Sequence, residues 1–129
     1  MKMYFYGGAN EVGASSTLIK IDGYRILVDA GIRMGPGQNS PSPDFPNFDK
    51  VGVPDAVLLT HAHTDHIGAL PVSELRNLWH EGVKVYWTSP TKAISQVMLE
   101  DNVKIMENEE QEKGKSPLYT RDDLECFLN

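Results

Sequence analysis

The chain has a single cysteine, Cys126. An internal disulfide is therefore excluded, as is a Cys-x-x-Cys zinc site, so any metal must find nitrogen and oxygen donors. Cys126 itself reads as a small residue on a helix face. Long hydrophobic runs are also missing: nothing approaches the roughly 18 apolar residues a bilayer-spanning helix needs. The apolar stretch within Met1-Lys2-Met3-Tyr4-Phe5-Tyr6 is too short for a signal peptide. A soluble, cytoplasmic protein with no membrane partner is expected. Histidine does not recur after His80, lysine and arginine never cluster, and no internal repeat is visible.

The net charge of −6 at first disfavours a polyanionic ligand, but it is unevenly spread. Residues 1–99 carry nine acids and eight bases, and residues 100–129 carry nine acids and four bases. Most of the acidic surplus lies in the tail, so charge neither excludes nor recommends nucleic acid. At 129 residues with 40% hydrophobic content, the chain suits one domain with a modest core.

What is present concentrates in Thr60-His61-Ala62-His63-Thr64-Asp65-His66-Ile67-Gly68-Ala69-Leu70-Pro71, where three of the four histidines and a carboxylate fall within six positions. The stretch follows Ala56-Val57-Leu58-Leu59, an apolar run that reads as a buried strand. On an extended backbone, residues two apart point to the same side. His61 and His63 can therefore reach one ion together, while Asp65 and His66 project differently once the chain turns. Imidazole and carboxylate are ligands that a divalent ion such as zinc accepts, and this short stretch can serve two neighbouring ions. A polar loop with incidental histidines is the alternative, but four donors in one hexapeptide argue against it.

Around this stretch, Met3 to Tyr6 reads as a strand, followed by the glycine-rich Gly7-Gly8-Ala9-Asn10-Glu11-Val12-Gly13. That loop matches neither a P-loop nor a dinucleotide fingerprint, and it precedes a strand instead of a helix. Thr17–Ile21 and Tyr24–Val28 flank Asp22-Gly23, the dipeptide of a type I′ hairpin. The second strand runs into Asp29, which is either a turn former or an inward-facing polar group. Residues 31–54 hold five of the eight prolines and read as a long surface loop in which Phe45 and Phe48 anchor to the core. Val72, Leu75, Leu78 and Trp79 fall on one face of a helix near 72–80. His80 is expected to be solvated at that helix's C-terminus. After a strand at 83–88, Ser89 reads as the N-cap, with Pro90 at the first helical position, of a helix to about 106 that has Ala93, Ile94, Val97, Met98, Asp101 and Ile105 near one face and Met98 and Met106 as core filler. Residues 107–117 read as a mobile acidic linker. Thr120 with Asp123 resembles a capping box that opens a short helix through Leu124, Phe127 and Leu128.

His-x-His-x-Asp-His after an apolar strand resembles the metal signature of the metallo-β-lactamase superfamily. The continuation Ile67-Gly68-Ala69-Leu70-Pro71 is similar to its β-CASP branch, which includes RNA 3′-end-processing endonucleases and RNase J-type enzymes. The resemblance extends in order and spacing through Thr88-Ser89-Pro90-Thr91-Lys92-Ala93-Ile94, Leu99-Glu100-Asp101 and Leu118-Tyr119-Thr120-Arg121-Asp122-Asp123-Leu124-Glu125. It implies that His61 and His63 bind one zinc and that Asp65 and His66 bind a second, with manganese as a possible substitute. It also makes Asp65 and Asp29 the catalytic carboxylates, Asp29 orienting the metal loop, and it sets the glycine-rich loop beside the centre. The implied fold is α/β (α+β): half of an αββα sandwich, a mixed β-sheet covered by the helices near 72–80 and 90–106, with residues 1–129 as a single domain.

Complete members of that branch carry, beyond this region, further histidines, a bridging aspartate and a helicase-like insert. A catalytic zinc normally takes three protein ligands, and two per ion fall short of that. The chain is therefore expected to be the N-terminal half of a metal-dependent ribonuclease. A second polypeptide or second copy would complete it, RNA would be the substrate of the complete enzyme, and the isolated chain would have little or no activity. Alternatives are a noncatalytic interaction module that keeps the fold, and another superfamily hydrolase acting on esters or lactams.

Overall fold

Asp22 and Gly23 both have positive φ, 49° and 81°, as a type I′ turn requires. The computed structural model, which describes residues 1–33 and 41–129, thus folds β2 (Ser16–Ile21) back on β3 (Tyr24–Val28) with Ile21 opposite Tyr24 and Thr17 opposite Val28. Strand β1 (Lys2–Gly7) adds antiparallel to β2, while β4 (Ala56–Leu58) and β5 (Lys84–Tyr86) add parallel to β3, giving the order β1-β2-β3-β4-β5. This is the mixed sheet expected. Parallel neighbours need crossovers. The β3–β4 crossover carries α1 (Phe48–Val51), and the β4–β5 crossover carries α2 (Thr64–Ile67), a 3₁₀ turn (Ser73–Leu75) and α3 (Arg76–His80). Helices α4 (Ser89–Lys113) and α5 (Arg121–Leu128) follow β5.

The sheet has one covered and one open face. Leu18, Leu27, Val57 and Val85 stand in register across β2 to β5 and pack with Leu70, Leu75, Leu78 and Leu99 of the helical layer. Fully burying each such leucine stabilises by about 1.5–3 kcal/mol. On the opposite face, Phe5, Thr17, Val28, Leu58 and Tyr86 form a row across all five strands. In that row Phe5 is 59% exposed, Leu58 40% and Tyr86 54%. A largely apolar row across a whole sheet that stays this exposed marks a surface built to be covered.

The anchors expected at Phe45 and Phe48 are present. Their rings meet Tyr6 edge-on at centroid separations of 6.1 and 6.2 Å. The expected loop 31–54 includes residues 34–40, which lie outside the described residues, and its later part contains α1, where the Asn47 side chain accepts from Asp49 N and starts a single turn. The capping box of α5 forms as read, with the Thr120 side chain accepting from Asp123 N and Asp123 accepting from Thr120 N.

Helix α4 departs from the expectation in three ways. Its cap is Thr88, one residue before Ser89, because the extended backbone angle (ψ 156°) falls at Thr88; Pro90 is then already within the first turn. Residues 107–113, expected in the linker, continue the helix to Gly114, which closes it with φ 65°. Glu, Gln and Lys are good helix formers, and Arg121 of α5 pairs with Glu107 at 2.8 Å as well as with Glu100. Finally, the buried stripe is Ser95, Leu99 and Val103, with Met98 and Met106 partly buried beside it. Ile94, Val97 and Ile105 face outward at 52%, 70% and 48% exposure. The helix carries two apolar stripes nearly half a turn apart, and periodicity cannot say which one meets the sheet.

Leu99→Ala is therefore expected to lower unfolding stability by about 3 kcal/mol, whereas Val97→Ala should change it by less than about 0.5 kcal/mol. Urea denaturation followed by circular dichroism checks both, and equal effects would mean the stripes are assigned the wrong way round. A polypeptide of residues 1–129 is also expected to self-associate in sedimentation through its open sheet face. Replacing Phe5 and Tyr86 by lysine should shift it towards monomer, and a wild-type chain that sediments strictly as a monomer would contradict this.

Candidate metal centre

Strands β3 and β4 run parallel side by side and end together, so Asp29 and Thr60 emerge as neighbours at the carboxyl end of the sheet. Open α/β sheets bind ligands at that end. Asp29 N donates to Leu58 O at 2.9 Å, extending the ladder by one step. The chain then turns with Asp29 at φ 62°, a left-handed conformation unusual for a residue other than glycine. The carboxylate turns inward and is 2% exposed. Its Oδ1 accepts from Thr60 N at 2.9 Å, and its Oδ2 accepts from Thr60 Oγ1 at 2.7 Å and from His66 Nδ1 at 2.8 Å. Three donors offset the cost of burying the carboxylate.

These bonds set the histidine tautomers. A carboxylate only accepts, so His66 Nδ1 must donate, which leaves the Nε2 lone pair of the neutral ring free. The Thr60 hydroxyl gives its one hydrogen to Asp29 and can only accept from His61 Nδ1, 2.9 Å away. His61 Nε2 is therefore free as well. One buried carboxylate orients two imidazoles, one directly and one through a threonine, and metal-ligating histidines are commonly held this way.

The loop brings the donors together. His61 and His63 are still extended, and His63 caps α2 with ψ 144°, so Asp65 and His66 occupy the first turn beyond the bend. The ring centroids of His61 and His63 are 4.7 Å apart and those of His61 and His66 are 4.0 Å apart. One ligand atom each from His61, His63 and Asp65 lies within 4.8 Å of the others, and His66 Nε2 is 3.6 Å from Asp65 Oδ2. Two imidazoles and a carboxylate at this spacing, with no sulfur, fit a divalent ion that accepts nitrogen and oxygen. Asp65, which the sequence reading pairs with His66, also lies within reach of the His61–His63 pair.

Backbone bonds lock the loop in place. Ala30 N donates to His66 O at 2.8 Å, Ile32 N to Thr64 O at 3.2 Å, and Ser15 N to Asp65 O at 3.2 Å. Gly31 allows this approach, because a Cβ there would lie 1.6 Å from Asp65 O. Ser15 follows the glycine-rich loop, so that loop does sit beside the metal cluster. Glu11 within it pairs with Arg33 Nε at 2.5 Å, and the guanidinium holds the Glu11 carboxyl below its usual range. Sequence reading missed this pair, the role of Thr60, and the left-handed Asn10 (φ 61°) and Ala14 (φ 52°). His80 stands apart from the cluster, with Nε2 3.9 Å from Cys126 Sγ of α5.

The profile of the metallo-β-lactamase superfamily domain matches residues 18–127. The chain belongs to that superfamily. Among its relatives, transcription termination factor FttA of Pyrococcus abyssi is 36% identical over 126 residues, covering 92% of this chain and 18% of its own length. A ribonuclease of Thermus thermophilus is 36% identical over 130 residues, covering 99% and 27%. Cleavage and polyadenylation specificity factor subunit 3-II of Arabidopsis thaliana is 33% identical over 118 residues, covering 88% and 18%. The chain thus spans between about a sixth and a quarter of the length of these relatives. Among the described residues, no helix of this metallo-β-lactamase domain is long and apolar enough to cross a membrane.

Thr60→Val keeps the side chain's shape but removes both hydroxyl bonds. Zinc affinity, expected to be micromolar or weaker in the wild-type chain, should fall about tenfold further, while Thr60→Ser stays near wild type. Calorimetric titration measures this, and an unchanged affinity in Thr60→Val would show that the threonine bridge does not orient His61.

Proposed function

We propose that this chain is part of a metal-dependent phosphodiester hydrolase that cleaves RNA, of the β-CASP type, and supplies one half of its dinuclear centre. The observation that carries this reading is the set of four donors at His61, His63, Asp65 and His66, two of whose rings are oriented by the buried carboxylate of Asp29. Relatives that include a ribonuclease and a cleavage and polyadenylation factor support RNA as the substrate. In this reading His61 and His63 hold one zinc ion, or manganese in its place. Asp65 and His66 hold the second ion, and Asp65 stands within reach of both sets. Divalent ions bound there would lower the pKa of a water molecule and neutralise charge building up on the phosphate.

The chain's own residues contribute positioning. Asp29 keeps His66 Nδ1 protonated and Thr60 keeps His61 Nδ1 protonated, so both rings present Nε2 without having to reorganise. Asp65 contributes the anionic charge among the donors. His63 is exposed while His61, Asp65 and His66 are half-buried, which leaves one side of the cluster open to a large substrate. Two protein ligands for each ion are fewer than a catalytic zinc normally takes. The remaining ligands would come from a further polypeptide segment, a second chain or a second copy. Chemistry that uses only nitrogen and oxygen donors and a free thiol at Cys126 suits a reducing, cytoplasmic setting.

The test is to purify the chain from its native source with whatever accompanies it and to assay the assembly on RNA with zinc or manganese. Asp65→Ala should lower cleavage by about a hundredfold or more while leaving the assembly intact, since it removes a donor and no core packing. Full activity in Asp65→Ala would refute this role for the cluster. An intact assembly that never cleaves RNA would favour the noncatalytic interaction module.

A further inference from the structure

Away from the metal cluster, the other end of the sheet carries an unusual row of charge. Lys2 is directly opposite Lys20, and Lys20 is directly opposite Arg25, across β1, β2 and β3. Opposed residues share a face with Cβ atoms about 5 Å apart, and like charges so placed repel each other. Among the described residues no ion pair relieves them: the pairs formed involve Arg33, His66, Arg76, Lys115 and Arg121. The carboxylate of Asp55 accepts from the backbone N–H of Arg25 at 2.7 Å, and the Arg25 guanidinium donates to Val51 O at 2.9 Å. Lysine on an edge strand is a common guard against strand pairing. That explains Lys2 but not Lys20 or Arg25, which lie on the inner strands β2 and β3.

Aromatic rings stand beside the row. Lys20 Nζ lies 5.2 Å from the centre of the Tyr4 ring. Tyr4, Tyr6, Lys20 and Arg25 line a cleft of about 290 Å³ floored by Leu18. Spaced cations next to flat rings are what sites for single-stranded nucleic acid combine: the cations follow the phosphates and the rings stack on bases. An acidic peptide would use the charges but has no need of the tyrosines.

We propose that Lys2, Lys20 and Arg25, with the Tyr4–Tyr6 cleft, form a docking surface for the phosphodiester backbone of single-stranded RNA, separate from the metal cluster. This rests on the RNA reading above and adds to it a contact that grips the strand at a distance from the chemistry. Arg25 lies near the start of β3 and Asp29 follows its far end, four residues on, which is about 13 Å along an extended strand.

The experiment uses the chain of residues 1–129 and a labelled single-stranded oligouridine of about 12 nucleotides, within the range of known site sizes. Fluorescence anisotropy is recorded in EDTA across a salt series, so binding is read independently of any metal-dependent cleavage. The wild type should bind, with affinity falling as salt rises. Lys2→Gln with Lys20→Gln should weaken binding roughly tenfold or more at about 50 mM salt and lower the log–log salt slope by about 1.4, at about 0.7 per phosphate contact. Lys20→Arg should keep the slope. Tyr4→Leu should weaken binding about tenfold with the slope unchanged. Circular dichroism checks that each variant is folded. No binding by the wild type would overturn the inference, as would a double variant with unchanged affinity and slope, or competition by polyglutamate as effective as that by unlabelled RNA. RNA binding that depends on the row, in an assembly that never cleaves RNA, would remove the nuclease reading and leave this surface standing.

Discussion

The structure depends on the buried carboxylate of Asp29. It occupies a left-handed conformation that costs a residue with a side chain about 1 kcal/mol or more, in a place where an unpaired carboxylate would be far costlier. It is held there because three donors converge on it, two from Thr60 and one from His66. The same turn swings Gly31 against the carbonyl of Asp65 and allows Ala30 and Ile32 to bond the backbone of the metal loop. Orientation of the imidazoles and anchoring of their loop thus share one local cause, the pairing of two parallel strand ends.

That pairing in turn needs a rigid sheet beneath it. The row Leu18, Leu27, Val57 and Val85 supplies it by packing on the helices that the β4–β5 crossover and α4 lay over one face. The other face remains apolar and exposed, and so does the second stripe of α4. In a metallo-β-lactamase domain that spans only about a sixth to a quarter of its relatives' length, these surfaces and the two-ligand sets of the metal loop have a common feature. Each presents groups that are left without a partner among the described residues: apolar side chains on the sheet and helix, and donors in the metal loop.

Much of the site could be read from the chain because its donors are close together in sequence. His61, His63, Asp65 and His66 fall within six positions behind a strand, so local geometry alone brings them near one point. The hairpin at Asp22-Gly23 and the capping box at Thr120–Asp123 were legible for the same reason: each is set by residues two or three apart, with no appeal to the rest of the fold. Helix α4 was misread where local pattern was ambiguous. Two apolar stripes satisfy the same periodicity, and a polar, charged run such as 107–113 is equally good as helix or linker until Arg121 reaches back to Glu107.

What tertiary structure alone decided is the set of partners distant in sequence. Asp29 meets Thr60 and His66 across 31 and 37 residues because β3 and β4 lie in register. Glu11 meets Arg33 across 22 residues, and Lys2 meets Lys20 and Arg25 through strand pairing. The sequence by itself determined which chemistry is available, because residue types and short spacings are local properties of a chain. Which carboxylate orients which imidazole, and which charges stand side by side, was settled by the register of one strand against the next, since a shift of one residue would turn every side chain to the opposite face.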